Sequence, residues 1–184
     1  MRQSFKKITL IALFASFTFV ATSVKIDIPL AGGNTMVHLG NALCIVSGIL
    51  LGPILGGLSA GIGSFLFDLF SPFFITSAPF SFVFKFILSS VSSLIYNCKI
   101  LKNSKILLKV LVASFVSSFL YIVLHLSKVF IYNFCFLKVP ISVCMILIVK
   151  SLSVSIINLM VSMLVSAFTI LKFKKRICFN KFVF

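Results

Sequence analysis

Of the 184 residues, 60% are apolar and only 10% are charged, and the mean hydropathy is +1.24. A soluble domain carries roughly a quarter charged residues, so water cannot be the solvent for most of this chain and lipid must be. Seventeen Lys and Arg against two acids give a net charge of +15, but the basic residues fall between apolar runs, as membrane topology demands, and this excludes a nucleic-acid partner.

A spanning helix takes ~20 residues, so the length accommodates about six spans and no soluble domain beside them. The fold class expected is an all-α integral membrane protein of one domain, residues 1–184, with both termini in the cytoplasm. The first apolar run, 8–24, follows Arg2, Lys6 and Lys7. Ala21-Thr22-Ser23 resembles a weak signal-peptide cleavage site, yet a polytopic chain needs no cleaved signal, and a retained helix is the reading taken. Residues 25–37 form an extended or turn-rich loop, because Pro29 and Gly32-Gly33-Asn34 interrupt a helix. A second run, 38–51, stops at Gly52-Pro53, a helix stop followed at once by a start, so a third helix over 54–70 returns as a tight hairpin. Ser71-Pro72 and Ala78-Pro79 bracket a short loop before a fourth helix, 79–96. The fifth covers 106–127 and the sixth 140–171, the last being longer than a bilayer needs.

Orientation follows from the positive-inside rule. With the N-terminus inside, the inner segments carry Arg2, Lys6, Lys7, Lys99, Lys102, Lys105, Lys109, Lys172, Lys174, Lys175, Arg176 and Lys181. The outer loops carry Lys25, Lys128 and Lys138, a ratio of twelve to three, while Lys85 and Lys150 fall inside helices. The five cysteines (Cys44, Cys98, Cys135, Cys144, Cys178) show no metal-ligand spacing with each other or with His38 and His125. They read as small apolar side chains, and neither a metal nor a cofactor is expected.

Small and polar residues recur at helical spacing: Gly57, Gly61, Ser64, Asp68; Ser81, Lys85, Ser89, Ser93; Ser114, Ser118, Tyr121, His125, Lys128; and Ser151, Ser155, Asn158, Ser162, Ser166. Each series lies on one side of its helix, the side packed in a bundle. Close helix packing alone accounts for the serines and glycines. The ionisable residues ask for more, since a Lys or Asp at mid-membrane depth costs about 2.5–3.5 kcal/mol on insertion scales and is kept only with a partner or a polar cavity. Asp68 and Lys85 face each other across one short loop and are placed to pair. His38, Asn41, His125 and Lys150 fall in the same outer half. The topology thereby gathers polar groups toward one leaflet, as an outward-facing pocket requires. No HExxH, EExxxR, P-loop or Rossmann motif is present, so the chain reads neither as an enzyme nor as a source of its own driving force.

One ordered series of motifs is more specific. Val37-His38-Leu39-Gly40-Asn41-Ala42, Gly48-Ile49-Leu50-Leu51-Gly52-Pro53, Gly56-Gly57-Leu58-Ser59-Ala60-Gly61-Ile62-Gly63-Ser64, Phe67-Asp68-Leu69, and Ala78-Pro79 with Lys85 together resemble the substrate-binding S components of energy-coupling factor (ECF) transporters. The group nearest in pattern is the riboflavin-transporter-like family. The resemblance implies a six-helix subunit of a bacterial cell membrane that captures a water-soluble vitamin or precursor from outside. It implies as partners a membrane T component and two cytoplasmic ATPases. It implies a small-residue docking face on the first helix, met here by Ala12, Ala15 and Ser16. The substrate-binding set expected is His38, Asn41, Asp68, Lys85, His125 and Lys150, with 25–37 as a lid. Asn41 stands where many members carry an acid; an amide cannot balance a cation, so a neutral or anionic heterocycle is expected rather than a cation such as thiamine. The rival readings are a self-contained facilitator or channel and a structural membrane protein without a ligand.

Overall fold

The computed structural model describes residues 2–30 and 33–176, so Gly32, Cys178 and Lys181 of the sequence reading lie outside the described residues. Among the described residues six α-helices follow one another: α1 (Arg2–Ser23), α2 (Gly40–Leu51), α3 (Pro53–Leu69), α4 (Ala78–Tyr96), α5 (Ile106–Ile131) and α6 (Ile141–Arg176). Four helical segments among the described residues are long and apolar enough to cross a membrane: 3–23, 75–96, 106–136 and 141–173. α2 and α3, with 12 and 17 residues, are apolar but span only about 18 and 25 Å at 1.5 Å per residue.

The joint between α2 and α3 follows from the Gly52-Pro53 pair. Gly52 takes φ 88°, a left-handed conformation open to glycine but not to a residue with a Cβ. Pro53 at once starts the next helix with its fixed φ and missing N–H. The chain reverses there, and the two helices then run back along each other in very close approach. A Cβ on Gly56 would stand 2.6 Å from Gly48 Cα, and Ser47 Oγ reaches Gly56 O at 3.3 Å. α2 is the central helix, packed against α1, α3, α4 and α6.

The stripes of small residues face inward, as helix association in lipid favours. Ser89, Ser93, Ser114, Ser118, Ser151, Ser155, Ser162 and Ser166 are all buried. Ser114 and Ser166 hydrogen-bond across α5 and α6 at 2.9 Å, and Ser47 meets Ser89 across α2 and α4 at 3.3 Å. The opposite faces, with Phe115, Phe119, Leu164 and Phe168 exposed, are the apolar surface that lipid covers. At one end of the bundle Phe14, Val46, Leu51, Val110, Ala167 and Ile170 close into an apolar plug.

One element departs from an all-helical chain. Residues expected to be an extended loop form an antiparallel hairpin, β1 (Lys25–Leu30) and β2 (Gly33–His38), with Lys25 opposite His38 and Leu30 opposite Gly33. The alternation of Ile26 and Ile28 with Lys25 and Asp27 is a strand period, and the Lys25–Asp27 ion pair of 2.8 Å lies along one face of β1. This hairpin lies at the end of the bundle opposite the apolar plug.

A polar cavity under the hairpin

A cavity of about 290 Å³ opens at the hairpin end of the bundle. Its volume is near the lower end of the range for small-molecule sites, ~300 Å³. Three surfaces enclose it. The hairpin contributes Thr35, Met36 and His38. The loop after α3 and the first turns of α4 supply an aromatic wall: Phe73, Phe74, Phe80 and Phe84. α5 and α6 supply the polar side, with Tyr121, His125, Lys128 and Asn133 from the first and its extension, and Ser151, Ser155 and Asn158 from the second. Asp68, at the end of α3, completes the ring.

Each expected residue can now be placed. His38 is buried, and its Nδ1 accepts the Gly40 N–H at 3.0 Å, so the ring proton of the neutral form sits on Nε2. Burial, and after it the Lys85 charge, holds the imidazole well below its usual pKa. His125 lines the cavity and stacks on Tyr121 with centroids 6.0 Å apart and planes 12° from parallel. Asp68 is buried beside Ser81. Asn41 and Lys85 are both buried and joined directly, Lys85 Nζ donating to Asn41 Oδ1. The Lys85 ammonium also lies 4.3 Å from the centre of the Tyr121 ring, a distance at which the ring face attracts a cation. Lys85 and Asn41 therefore sit behind Tyr121 and do not line the cavity themselves.

Two placements correct the sequence reading. Asp68 and Lys85 form no ion pair: among the described residues the one salt bridge is Lys25–Asp27, because Asn41 on α2 reaches the ammonium instead. Lys150 is exposed on α6, outside the cavity. The α6 wall runs through Leu147, Ser151, Ser155 and Asn158, and one residue of helical rotation, about 100°, turns Lys150 off that face. Replacing Lys150 with Met is accordingly expected to leave ligand affinity within about two-fold; a ten-fold loss in equilibrium binding would return it to the site.

A family model described as "ECF-type riboflavin transporter, S component" matches residues 2–175. The chain belongs to that family. No curated protein and no solved structure matches it. It is thus a multi-pass membrane protein and the substrate-binding subunit of a transport system for vitamin uptake, not an enzyme.

For an S component, the residues that the sequence reading passed over are as informative as those it named. Lys128, read both as the last member of the fifth helix's inward stripe and as an outer-loop charge, is on α5 because the helix runs to Ile131. It lines the cavity, donates to Ser77 Oγ at 2.7 Å and lies 5.3 Å from the Phe80 ring centre. It thereby bridges α5 to the start of α4. Asn158, read as part of a packing stripe, clamps the hairpin: Oδ1 accepts the His38 N–H at 3.0 Å and Nδ2 donates to Met36 O at 2.8 Å. The hydrophobic periodicity of α6 held the signal for Asn158, since an amide on an inward face must find partners. Of the three α1 residues that the resemblance led us to expect at a docking face, Ala12 and Ser16 are exposed, whereas Ala15 is buried against α3. Its backbone carbonyl lies against Gly63, leaving no room there for a Cβ.

Proposed function

We propose that this S component captures riboflavin, or a close planar relative, in the cavity beneath the hairpin. It then delivers the ligand through a T component and two ATPases. The observation that carries the ligand class is the two-sided lining: a wall of phenylalanines for the flat face of a heteroaromatic ring, and a side rich in amide, hydroxyl and imidazole groups for its polar edge. Asn41, behind the cavity wall, supplies no counter-charge for a cationic ligand. An acid there would have offered a counter-charge to a cation, but the amide is already engaged by the Lys85 ammonium.

In this reading six helices cross the membrane, α2 and α3 doing so as the hairpin turned by Gly52-Pro53. The cavity opens outward. The Lys- and Arg-rich segments 2–7, 99–109 and 172–176 belong to the other end of the bundle, the cytoplasmic end under the positive-inside rule. The apolar plug then separates the ligand from the cytoplasm.

Mass spectrometry of small molecules released from the purified protein, produced in a vitamin-replete host, tests the reading. The expected result is one flavin per protein. Stoichiometric thiamine or another permanent cation would overturn the ligand class. Protein that releases nothing and binds no flavin in solution would overturn the assignment of this cavity.

A further inference from the structure

The end of α5 departs from α-helical geometry at one place. Tyr132–Phe136 form a turn of π-helix, closed by the Leu137 N–H on Tyr132 O at 3.2 Å. Such wide turns recur at functional sites, where the extra residue re-aims side chains. Here the turn packs against α6 and puts Asn133 in the cavity wall, 5% exposed. Its Nδ2 donates to Val129 O at 2.8 Å. A backbone carbonyl only accepts, so the amide orientation is fixed and Oδ1 must face the other way. That oxygen is buried without a hydrogen-bond partner.

The α6 part of the lining has the same property. Most inward and outward hydroxyls on α6 bond to their own backbone, Ser153 to Val149 O at 3.0 Å and Thr169 to Val165 O at 2.7 Å among them. Ser151 and Ser155 are buried cavity residues, and among the described residues their hydroxyls have no such bond. Three residues of the cavity lining, Asn133, Ser151 and Ser155, thus carry hydrogen-bonding groups with unused capacity. A buried polar atom without a partner is destabilising, so a ligand that supplies the partner gains by that relief as well as by the bond.

We propose that Asn133 is a specificity-determining residue, its Oδ1 accepting a hydrogen bond from an N–H or O–H donor on the ligand's polar edge, with Ser151 and Ser155 flanking it. The role rests on the proposed capture of a flavin-like ligand. In riboflavin the donor is the imide N–H of the ring or a ribityl hydroxyl. Two probes separate these sources: 3-methylriboflavin lacks the first and lumiflavin lacks the second.

The test is equilibrium binding of all three compounds to wild type and to Asn133→Leu, with the melting temperature of the ligand-free proteins measured alongside. Wild type is expected to prefer riboflavin over the probe that lacks the donor by about ten-fold or more. Asn133→Leu is expected to lose that preference, binding riboflavin as weakly as that probe, while melting no lower than wild type because a partnerless acceptor has been removed. A variant that binds riboflavin within two-fold of wild type overturns the role. So does one that loses all three compounds by the same factor, which would mark a structural residue. If wild type binds none of them, the flavin reading fails, and the melting temperatures then decide about Asn133. A fall of more than about 5 °C would show that its bond to Val129 holds the turn and would overturn recognition; an unchanged or raised value supports it.

Discussion

Asn158→Leu is expected to release bound ligand roughly 30-fold faster than wild type. The reason lies in strand geometry. In β2 the backbone groups of Met36 and His38 point to the same edge, the one away from β1, because residues two apart repeat in orientation. A two-stranded sheet leaves that edge unpaired, and a buried, unpaired edge is costly. Asn158 closes it from α6: one amide offers the acceptor to His38 N–H and the donor to Met36 O, as a neighbouring strand would. Leucine has nearly the same shape and neither group. Two bonds of about 1 kcal/mol each are lost, about 2 kcal/mol together, which converts to roughly 30-fold. Met36, His38 and Thr35 all line the cavity, so loosening the hairpin opens the site. Stopped-flow dissociation of bound flavin, with Asn158→Asp as an intermediate that keeps the acceptor only, checks the prediction. Leu and Asp variants that both release ligand at the wild-type rate would show that the hairpin is not what retains it.

Much of the architecture is legible in the sequence because lipid simplifies the code. Apolar runs mark the helices, and Gly52-Pro53 forces a reversal whatever surrounds it. The serine stripes identify inward faces, since helices that approach closely in lipid need small side chains there. The site was harder to read, for three physical reasons. Helix ends are weakly encoded: α5 runs to Ile131 rather than 127, and those four residues move Lys128 from an outer loop to the cavity. A π turn has no sequence signature, so Asn133 fell between the helices expected over 106–127 and 140–171. Charge attracts attention in a membrane chain, but burial depends on helical register, and Lys150 lies one residue off the inward face that carries Ser151. The Asp68–Lys85 pairing failed differently. Both residues are buried as expected, but a third helix brought Asn41 to the ammonium, and adjacency along the chain cannot reveal a partner from a non-adjacent element.

Ser16→Phe is expected to abolish co-purification with the T component, and with it uptake, while ligand affinity stays within about two-fold. α1 packs on α3 through Ala15 and turns Ala12 and Ser16 outward, one helical turn apart. Ser16 Oγ bonds back to Ala12 O at 2.9 Å, so the hydroxyl is already satisfied and the pair presents only a shallow, small surface. Exposed Ile8, Leu13, Phe17 and Val20 border it, forming a notch that another membrane helix can enter. A phenyl group fills the notch and holds the partner helix away, yet it points into lipid and costs the isolated subunit little. Ala15→Phe is the contrasting variant: it forces bulk between α1 and α3, and is expected to lower the melting temperature by several degrees or prevent folding. Assembly and flavin binding measured on the same preparations separate the two faces. Normal co-purification of Ser16→Phe would move the docking surface off this side of α1, whereas lost ligand binding in the same variant would mean that α1 supports the cavity rather than the partner.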